Sequence, residues 1–370
     1  MTPPKKGVKK KSEVAVLRTN PGNVIKDYKM LLELAGVEQA LPKGPELLLK
    51  INISWQKFYP ACSTTPWQLD GVIEGLLELG YSRESLTGAH NRTVVVDAKI
   101  GEVNNKHKPV LDRHKVRNIH LYEPEEDWFY YSPKSDLLAL DRIFPDGIMI
   151  PKRFPGTGIL HLPTVKTHVF TTMTGAMKNA FGGLLNENRH WAHSDIHEVL
   201  VDLLTIQKEI HEGVFAVTDG TIAGDGPGPR CMDWKVKNVI LASSDPVAID
   251  SVAARMMGFD PMKLKFLALA HEKGLGNADP SMIKITGDEE AASERWNFTN
   301  NADTFASRGQ KAIYWGPLRP LEGLLLRSPL VPWSYLASRL YHDVYWYNVI
   351  GKHRVDRFMK TKWGKLFKSY

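Results

Sequence analysis

Residues 196–220, IHEVLVDLLTIQKEIHEGVFAVTDG, decide the fold class. The first part reads as a long amphipathic helix, stopped by Gly213, and it runs directly into the apolar strand VFAVTDG. Working outward, the same alternation recurs on both sides. Upstream come the strand ELLLKINIS, the loop WQKFYPACSTTP and the helix WQLDGVIEGLLELG, whose Leu69, Val72, Ile73, Leu76 and Leu77 share one face before Gly80 ends it. A strand RTVVVDA is expected next, and GIMIPKRFPGTGILHLPTVKTH supplies two more short strands. Downstream, a Gly/Pro-rich loop leads to the strand VKNVILASS and to a helix DPVAIDSVAARMMG, capped by Ser244 or Asp245 with Pro246 in its first turn. Strands alternating with helices predict an α/β fold with a mainly parallel sheet and helices on both faces. In such sheets ligands sit beyond the carboxyl ends of the strands. The loops at those ends are the ones rich in Thr, His, Lys, Asp and Gly.

Length and composition set the limits. The 370 residues can bury a large core as one or two domains, and no low-complexity linker divides them. The expected organisation is a basic disordered tail over residues 1–12, an α/β domain of one or two lobes over 13–310, and an aromatic and basic helical extension over 311–370. Two cysteines, Cys62 and Cys231, cannot ligate a four-cysteine iron–sulfur cluster or zinc, and they suggest no disulfide framework. The start MTPPKKGVKKK lacks the apolar stretch of a signal peptide, and no uninterrupted run reaches the roughly 18 apolar residues of a membrane span. A cytoplasmic protein is expected.

The net charge of +7 lies at the ends: residues 1–12 carry +5 and residues 351–370 carry +6, leaving the body between them at about −4. That distribution argues against nucleic acid as a partner and fits solvated tails or an anionic surface. The end GLLLRSPLVPWSYLASRLYHDVYWYNVIGKHRVDRFMKTKWGKLFKSY sets aromatic anchors ahead of basic residues, and Pro329 and Pro332 prevent one long helix. It suits either peripheral attachment to an anionic membrane or packing on the body or on a second subunit, so a homo-oligomer is compatible with it.

The chemistry concentrates in Leu162–Gly183, LPTVKTHVFTTMTGAMKNAFGG. Thr174 is the expected N-cap of a helix whose first turn, opened by Gly175 and Ala176, offers N–H groups to an anion, with Lys178 adding charge. Lys166 and His168 leave the preceding strand, and Asn179 follows in the helix. The set predicts a site for a phosphate or carboxylate, with His168 as acid/base or metal ligand; a capped helix with surface lysines is the alternative. In NRHWAHSDIHE, His190, His193 and His197 share one helical face, and His193 is the expected ligand among them. Ser63, Thr64 and Thr65 before a helix, Arg92 beside His90 in GAHNRT, and Asp219 and Asp225 in TDGTIAGDGPGPR complete the binding candidates.

Taken together, LPTVKTH, TGAMKNAFGG, VTDGTIAGDGPGP, ILASSDPVAIDSVAARMMGFDP and ALAHEKGLGNAD resemble the domain-of-unknown-function 362 family over about Asn52 to Gly287. Family members often carry a ferredoxin-like cluster-binding segment, whose cysteines this chain lacks, so no iron–sulfur cluster and no electron-transfer role is implied. A more distant resemblance is to nickel-pincer lactate racemases, because STTP, GAHNR, KTH, TGAMK and RHWAH occur in the order of that family's motifs. The resemblance implies a lactate-racemase-like fold and a nickel-pincer nucleotide held by Lys178. It also implies His168 and His193 as ligand or acid/base, and His90 as acid/base. This chain departs from the pattern at Met177, where an arginine is expected, at Asn91 between His90 and Arg92, and in an opening loop without its arginine.

The leading expectation is therefore an enzyme that binds a small anionic substrate or nucleotide-like cofactor and works by His/Lys chemistry with His168, His90 and His193. Its reaction would be of racemase or epimerase type or an oxidoreduction, with a nickel-pincer group or a divalent metal at His168 and His193 as the cofactor. The alternative is a non-catalytic binding protein attached to a membrane or partner through its C-terminal segment.

Overall fold

A computed structural model describes residues 11–370 apart from 94, 301–302, 322, 324 and 326–331. Twelve strands are described: β1 Ser12–Arg18, β2 Leu47–Ile51, β3 Leu86–His90, β4 Arg117–His120, β5 Trp128–Tyr131, β6 Ile148–Pro151, β7 Gly158–Leu162, β8 Thr164–His168, β9 Thr172–Met173, β10 Gly213–Asp225, β11 Asp233–Ser243 and β12 Ile283–Gly287. The main sheet has the order β12-β1-β11-β10-β7-β2-β3-β4, with β8 pairing β10 and β9 pairing β8, while β5 and β6 form a separate ribbon. Strands β4, β3, β2, β7 and β10 pair in parallel, as do β1 and β12, and β11 runs against both its neighbours.

Alternation along the strands explains why both faces are covered. Leu48, Ala89, Ile159, Ala216 and Leu241 join a core with the helices Ile196–Ile210 and Pro246–Met257. Their neighbours Leu47, Leu49, Leu86, Leu160, Phe215 and Ile240 join a second core with the helices Val24–Leu34 and Pro66–Glu78 on the other face. A strand presents successive side chains to opposite faces, so apolar runs such as LLL and VILA belong to a sheet buried on both sides. Thr65 caps the helix that starts at Pro66, and Asp245, rather than Ser244, caps the helix that starts at Pro246 by accepting from the N–H groups of Val247 and Ala248.

Three local expectations are corrected. The strand lies at Leu86–His90 and not at RTVVVDA, where Thr93 and Val96 instead close a tight turn. Small Gly88 lets Leu111 pack onto β3, so tertiary fit overrides the β-propensity of the valine run. The stretch 147–168 holds three strands, because Pro163 separates β7 from β8. At the N-terminus Ser12 already pairs with Ile283, so the body begins inside the expected tail; residues 1–10 lie outside the described residues.

The C-terminal stretch is helical, with segments Pro332–Arg339, Leu340–Gly351, Lys352–Phe358 and Lys362–Ser369; Pro329 lies outside the described residues. Its last part packs on the body. Phe358, Trp363 and Phe367 enter the second core, Trp346 packs with Trp55 and Tyr59, and Tyr370 donates to Asp70 at 2.8 Å. The chain end is therefore part of the domain that precedes it. Among the described residues no helix is long and apolar enough to cross a membrane.

Candidate functional site

Strands β2, β7 and β8 deliver their carboxyl ends to one open cleft, lined by Asn52, Ser54, Pro163, Lys166, His168, Thr174, Gly175, Lys178, Asn179 and Pro229. Six residues expected from the sequence thus meet in one place, at the position where an α/β sheet receives a ligand.

The local geometry departs from the expected capped helix. Ala176–Asn179 forms a single helical turn and its N-cap is Gly175; the Thr174 hydroxyl instead donates back to the Thr164 and Lys166 carbonyls at 3.2 and 3.3 Å. The free N–H groups are not free. Asp250, on the helix Pro246–Met257, accepts from Ala176 N at 2.7 Å and Met177 N at 3.0 Å. Glycine is required at 175 because φ is +142° and a Cβ would lie 2.3 Å from Asp250 Oδ1. Burial raises the Asp250 carboxyl to about 7. The anion expected at this helix start is therefore a protein side chain.

Around the cleft stand three lysine amines that no carboxylate pairs with among the described residues. Lys166, 1% exposed, gives its protons to Asn52 Oδ1 (2.8 Å), Ser54 Oγ (3.1 Å) and Cys62 O (2.5 Å). Those are three neutral acceptors for three protons, so Lys166 supplies field rather than a direct contact. Lys178 stands 5.2 Å above the Phe181 ring, with no hydrogen bond or ion pair among the described residues. Burial, then the charges of Lys166 and Arg189, lower its amine to about 7. Behind it lies Lys50, buried in β2 and donating to Ile51 O, likewise lowered to about 7 by burial and Arg189. A Cβ on Gly183 would meet Lys50 Cε at 2.6 Å, which accounts for the second glycine of the pair that ends the motif.

His168 faces the cleft as a donor. Its Nδ1 lies 3.1 Å from the Thr171 hydroxyl and accepts from the N–H groups of Phe170 (3.2 Å) and Thr171 (3.4 Å); those two backbone donors assign the proton to Nε2. Burial, followed by the charge of Lys178, holds its pKa well below the ordinary value, so it stays neutral. His193 sits outside the lining residues, stacked on Tyr314 and edge-on to Phe170 and Phe181, with Nδ1 against His190 O at 3.0 Å. Burial and Lys178 lower it to about 3. Asn179 binds Lys50 O and His161 Nδ1 through its amide nitrogen, and His161 in turn contacts Gln207 at 2.6 Å.

The remaining sequence candidates lie elsewhere. His90 is at the end of β3 against Glu102 (3.5 Å), stacked between His107 and His120. Ser63 accepts from Ser54 N, Thr64 ties Asn52 N to Leu162 O, and Thr65 donates to Asp219, so these hydroxyls hold the loop together. Asp219 is fully buried under five hydrogen bonds from Tyr28, Thr65, Trp67 and Thr221. Asp225 accepts from Thr299 N, and exposed Arg92 lies over the Tyr122 ring. Conversely, sequence reading passed over Asn52, Ser54, Lys50 and Asp250. A lysine inside the apolar strand LLLKI and polar residues just past its end were the available signals.

The donor set does not fit a nickel-pincer group. His168 carries its proton on the nitrogen that would face a metal, His90 is outside the cleft, and the turn has methionine in place of the arginine. Among the described residues, no three His, Cys, Asp or Glu side chains converge as a metal set.

Comparison with known proteins agrees with the resemblance to the domain-of-unknown-function 362 family. The chain is 24% identical over 289 residues to the thylakoid-associated protein sll1697 of Synechocystis sp., a match covering 74% of this chain and 82% of the relative. Residues 47–255, which contain the cleft's strands and turn and Asp250, match a family described as Domain of unknown function (DUF362). With more than half of its length inside that match, the chain belongs to the family of Domain of unknown function (DUF362).

Proposed function

We propose that the cleft binds a small organic anion carrying a carboxylate or phosphate, as the substrate of an enzyme. The observation that carries this reading is the set of lysines Lys50, Lys166 and Lys178, which no carboxylate pairs with among the described residues. Burial without a partner disfavours the protonated amines, and an incoming anion favours them by supplying the opposite charge. His168 Nε2–H donates a hydrogen bond to the bound molecule, and the partly neutral Lys178 amine is the base at hand. Thermal shift with oxalate and with inorganic phosphate tests the reading. Wild type gains stability with either anion, and Lys178→Ala keeps its fold but loses the gain; an equal gain in Lys178→Ala overturns the assignment.

A second reading concerns attachment. Trp333, Leu336, Leu340, Val344 and Val349 recur at helical spacing and are exposed, Leu336 by 59% and Val344 by 58%, close in sequence to the basic residues 352–368. We propose that this row rests on an anionic bilayer surface, a reading also supported by the name of the thylakoid-associated relative. Because Phe358, Trp363 and Phe367 belong to the core, deleting the segment would unfold the body, so point changes make the test. Leu336→Glu, Leu340→Glu and Val344→Glu together should abolish sedimentation with phosphatidylglycerol vesicles. Each lost side chain removes about 1.5–3 kcal/mol of burial. Unchanged sedimentation sinks the reading.

A further inference from the structure

The Lys178 amine has an unusual position among the cleft's polar groups. Lys166 spends all three protons on Asn52, Ser54 and Cys62, and Lys50 is turned to the Ile51 carbonyl. Lys178 lines the same cleft over an aromatic ring, without an acceptor among the described residues. The proton on His168 Nε2 completes the arrangement, set there by two backbone N–H groups at Nδ1. A nucleophilic amine beside a second cationic group, with a neutral hydrogen-bond donor near it, is the equipment for carbonyl addition.

We infer that Lys178 forms a Schiff base with a small 2-oxo acid, whose carboxylate is held in the field of Lys166. This deepens the anion-binding reading and rests on it. The Nζ lone pair attacks the carbonyl carbon and the C=O π pair moves to oxygen, which the neutral His168 Nε2–H holds by a hydrogen bond while the two Nζ protons pass to it in turn. Loss of that oxygen as water leaves the C=N bond. One amine and one carbonyl give one imine and one water, with no change of oxidation state. Asn52, whose Oδ1 already accepts from Lys166 and Ser54, presents its amide nitrogen as the donor for the carboxylate. The lowered Lys178 amine, about 7, supports the step, because near pH 7.5 most of it is neutral, whereas an ordinary lysine is neutral to about one part in a thousand.

The test incubates the full chain with pyruvate or glyoxylate at pH 7.5 and traps imines with borohydride, followed by intact mass and peptide mapping. A single reduced adduct at Lys178, formed on the order of a hundredfold faster than at any other lysine and absent in Lys178→Arg, supports the inference. Adducts spread over surface lysines, or an adduct that persists elsewhere in Lys178→Arg, overturn it. Oxalate, which has no electrophilic ketone or aldehyde, separates the two readings. Oxalate binding without an adduct at Lys178 refutes the Schiff base while the anion site stands. Neither binding nor an adduct refutes both. Mapping on the wild-type chain alone decides the matter if the variant does not fold.

Discussion

Replacing Gly175 by alanine probes the joint that builds the cleft. The new Cβ would lie 2.3 Å from Asp250 Oδ1 and 2.5 Å from its Cγ and Oδ2, so the carboxyl must move. Moving it gives up the bonds to Ala176 N and Met177 N, each a charged hydrogen bond of about 1.5–3 kcal/mol. A backbone with φ +142° and ψ −168° adds roughly 1–3 kcal/mol for any residue with a Cβ. The total is at least about 4 kcal/mol. With an unfolding entropy near 2 cal/mol/K per residue over 370 residues, that lowers Tm by about 5 °C. Differential scanning calorimetry of a double-mutant cycle separates the parts. In an Asp250→Ala background the same glycine change keeps only the backbone cost, so the cycle should show a coupling of at least about 3 kcal/mol. A Tm for Gly175→Ala within about 1 °C of wild type, or an additive cycle, refutes the reasoning.

Two further outcomes follow from the same geometry. Burial lowers His107 and His161 to about 4 and His193 to about 3. Between pH 6.5 and about 4 the unfolded chain therefore binds more protons than the folded one, and stability falls as pH falls through that window. Asp250, raised to about 7, and Asp202 and Asp219, also raised by burial, act in the opposite direction, but they are three groups against eight histidines that burial lowers, so urea midpoints should drop from pH 6.5 to 4.5. A midpoint that rises over that interval contradicts the burial of these histidines as neutral groups. Trp363→Ala removes a core ring set 4.9 Å from Trp67 and the bond to Asn238 Oδ1 at 2.8 Å, and should cost about 3–5 kcal/mol. A cost under about 1 kcal/mol, read by denaturant unfolding, would mean that the chain end does not share the core.

The fold was legible where periodicity was strong and local. The helices at 66–78, 196–210 and 246–257 and the strands around VFAVTDG and VKNVILASS stand where apolar spacing, prolines and glycines put them. What failed was the reading of RTVVVDA, because nothing in a valine run announces that Gly88 must admit Leu111. The site was legible as a cluster: Lys166, His168, Thr174, Gly175, Lys178 and Asn179 do meet. Their division of labour was not. Asp250 lies 74 residues from Ala176, and only the folded chain shows that it takes the helix start from an incoming anion. His90 joined the same machinery only through the resemblance to lactate racemases, yet β3 carries it to Glu102 and His120. Hydroxyls in CSTTP looked like anion donors, but they are consumed in bonding their own loop and Asp219.

At Lys178 a half-buried amine without a partner among the described residues awaits an anion. NMR titration of isotope-labelled lysine side chains, with and without oxalate, tests it most directly. In the free protein the Lys178 midpoint should lie near 7 and move up by about one unit or more when oxalate binds, since an opposite charge favours the protonated form. A Lys178 midpoint near the ordinary lysine value of about 10.4 in both samples, or one that oxalate leaves in place, contradicts it.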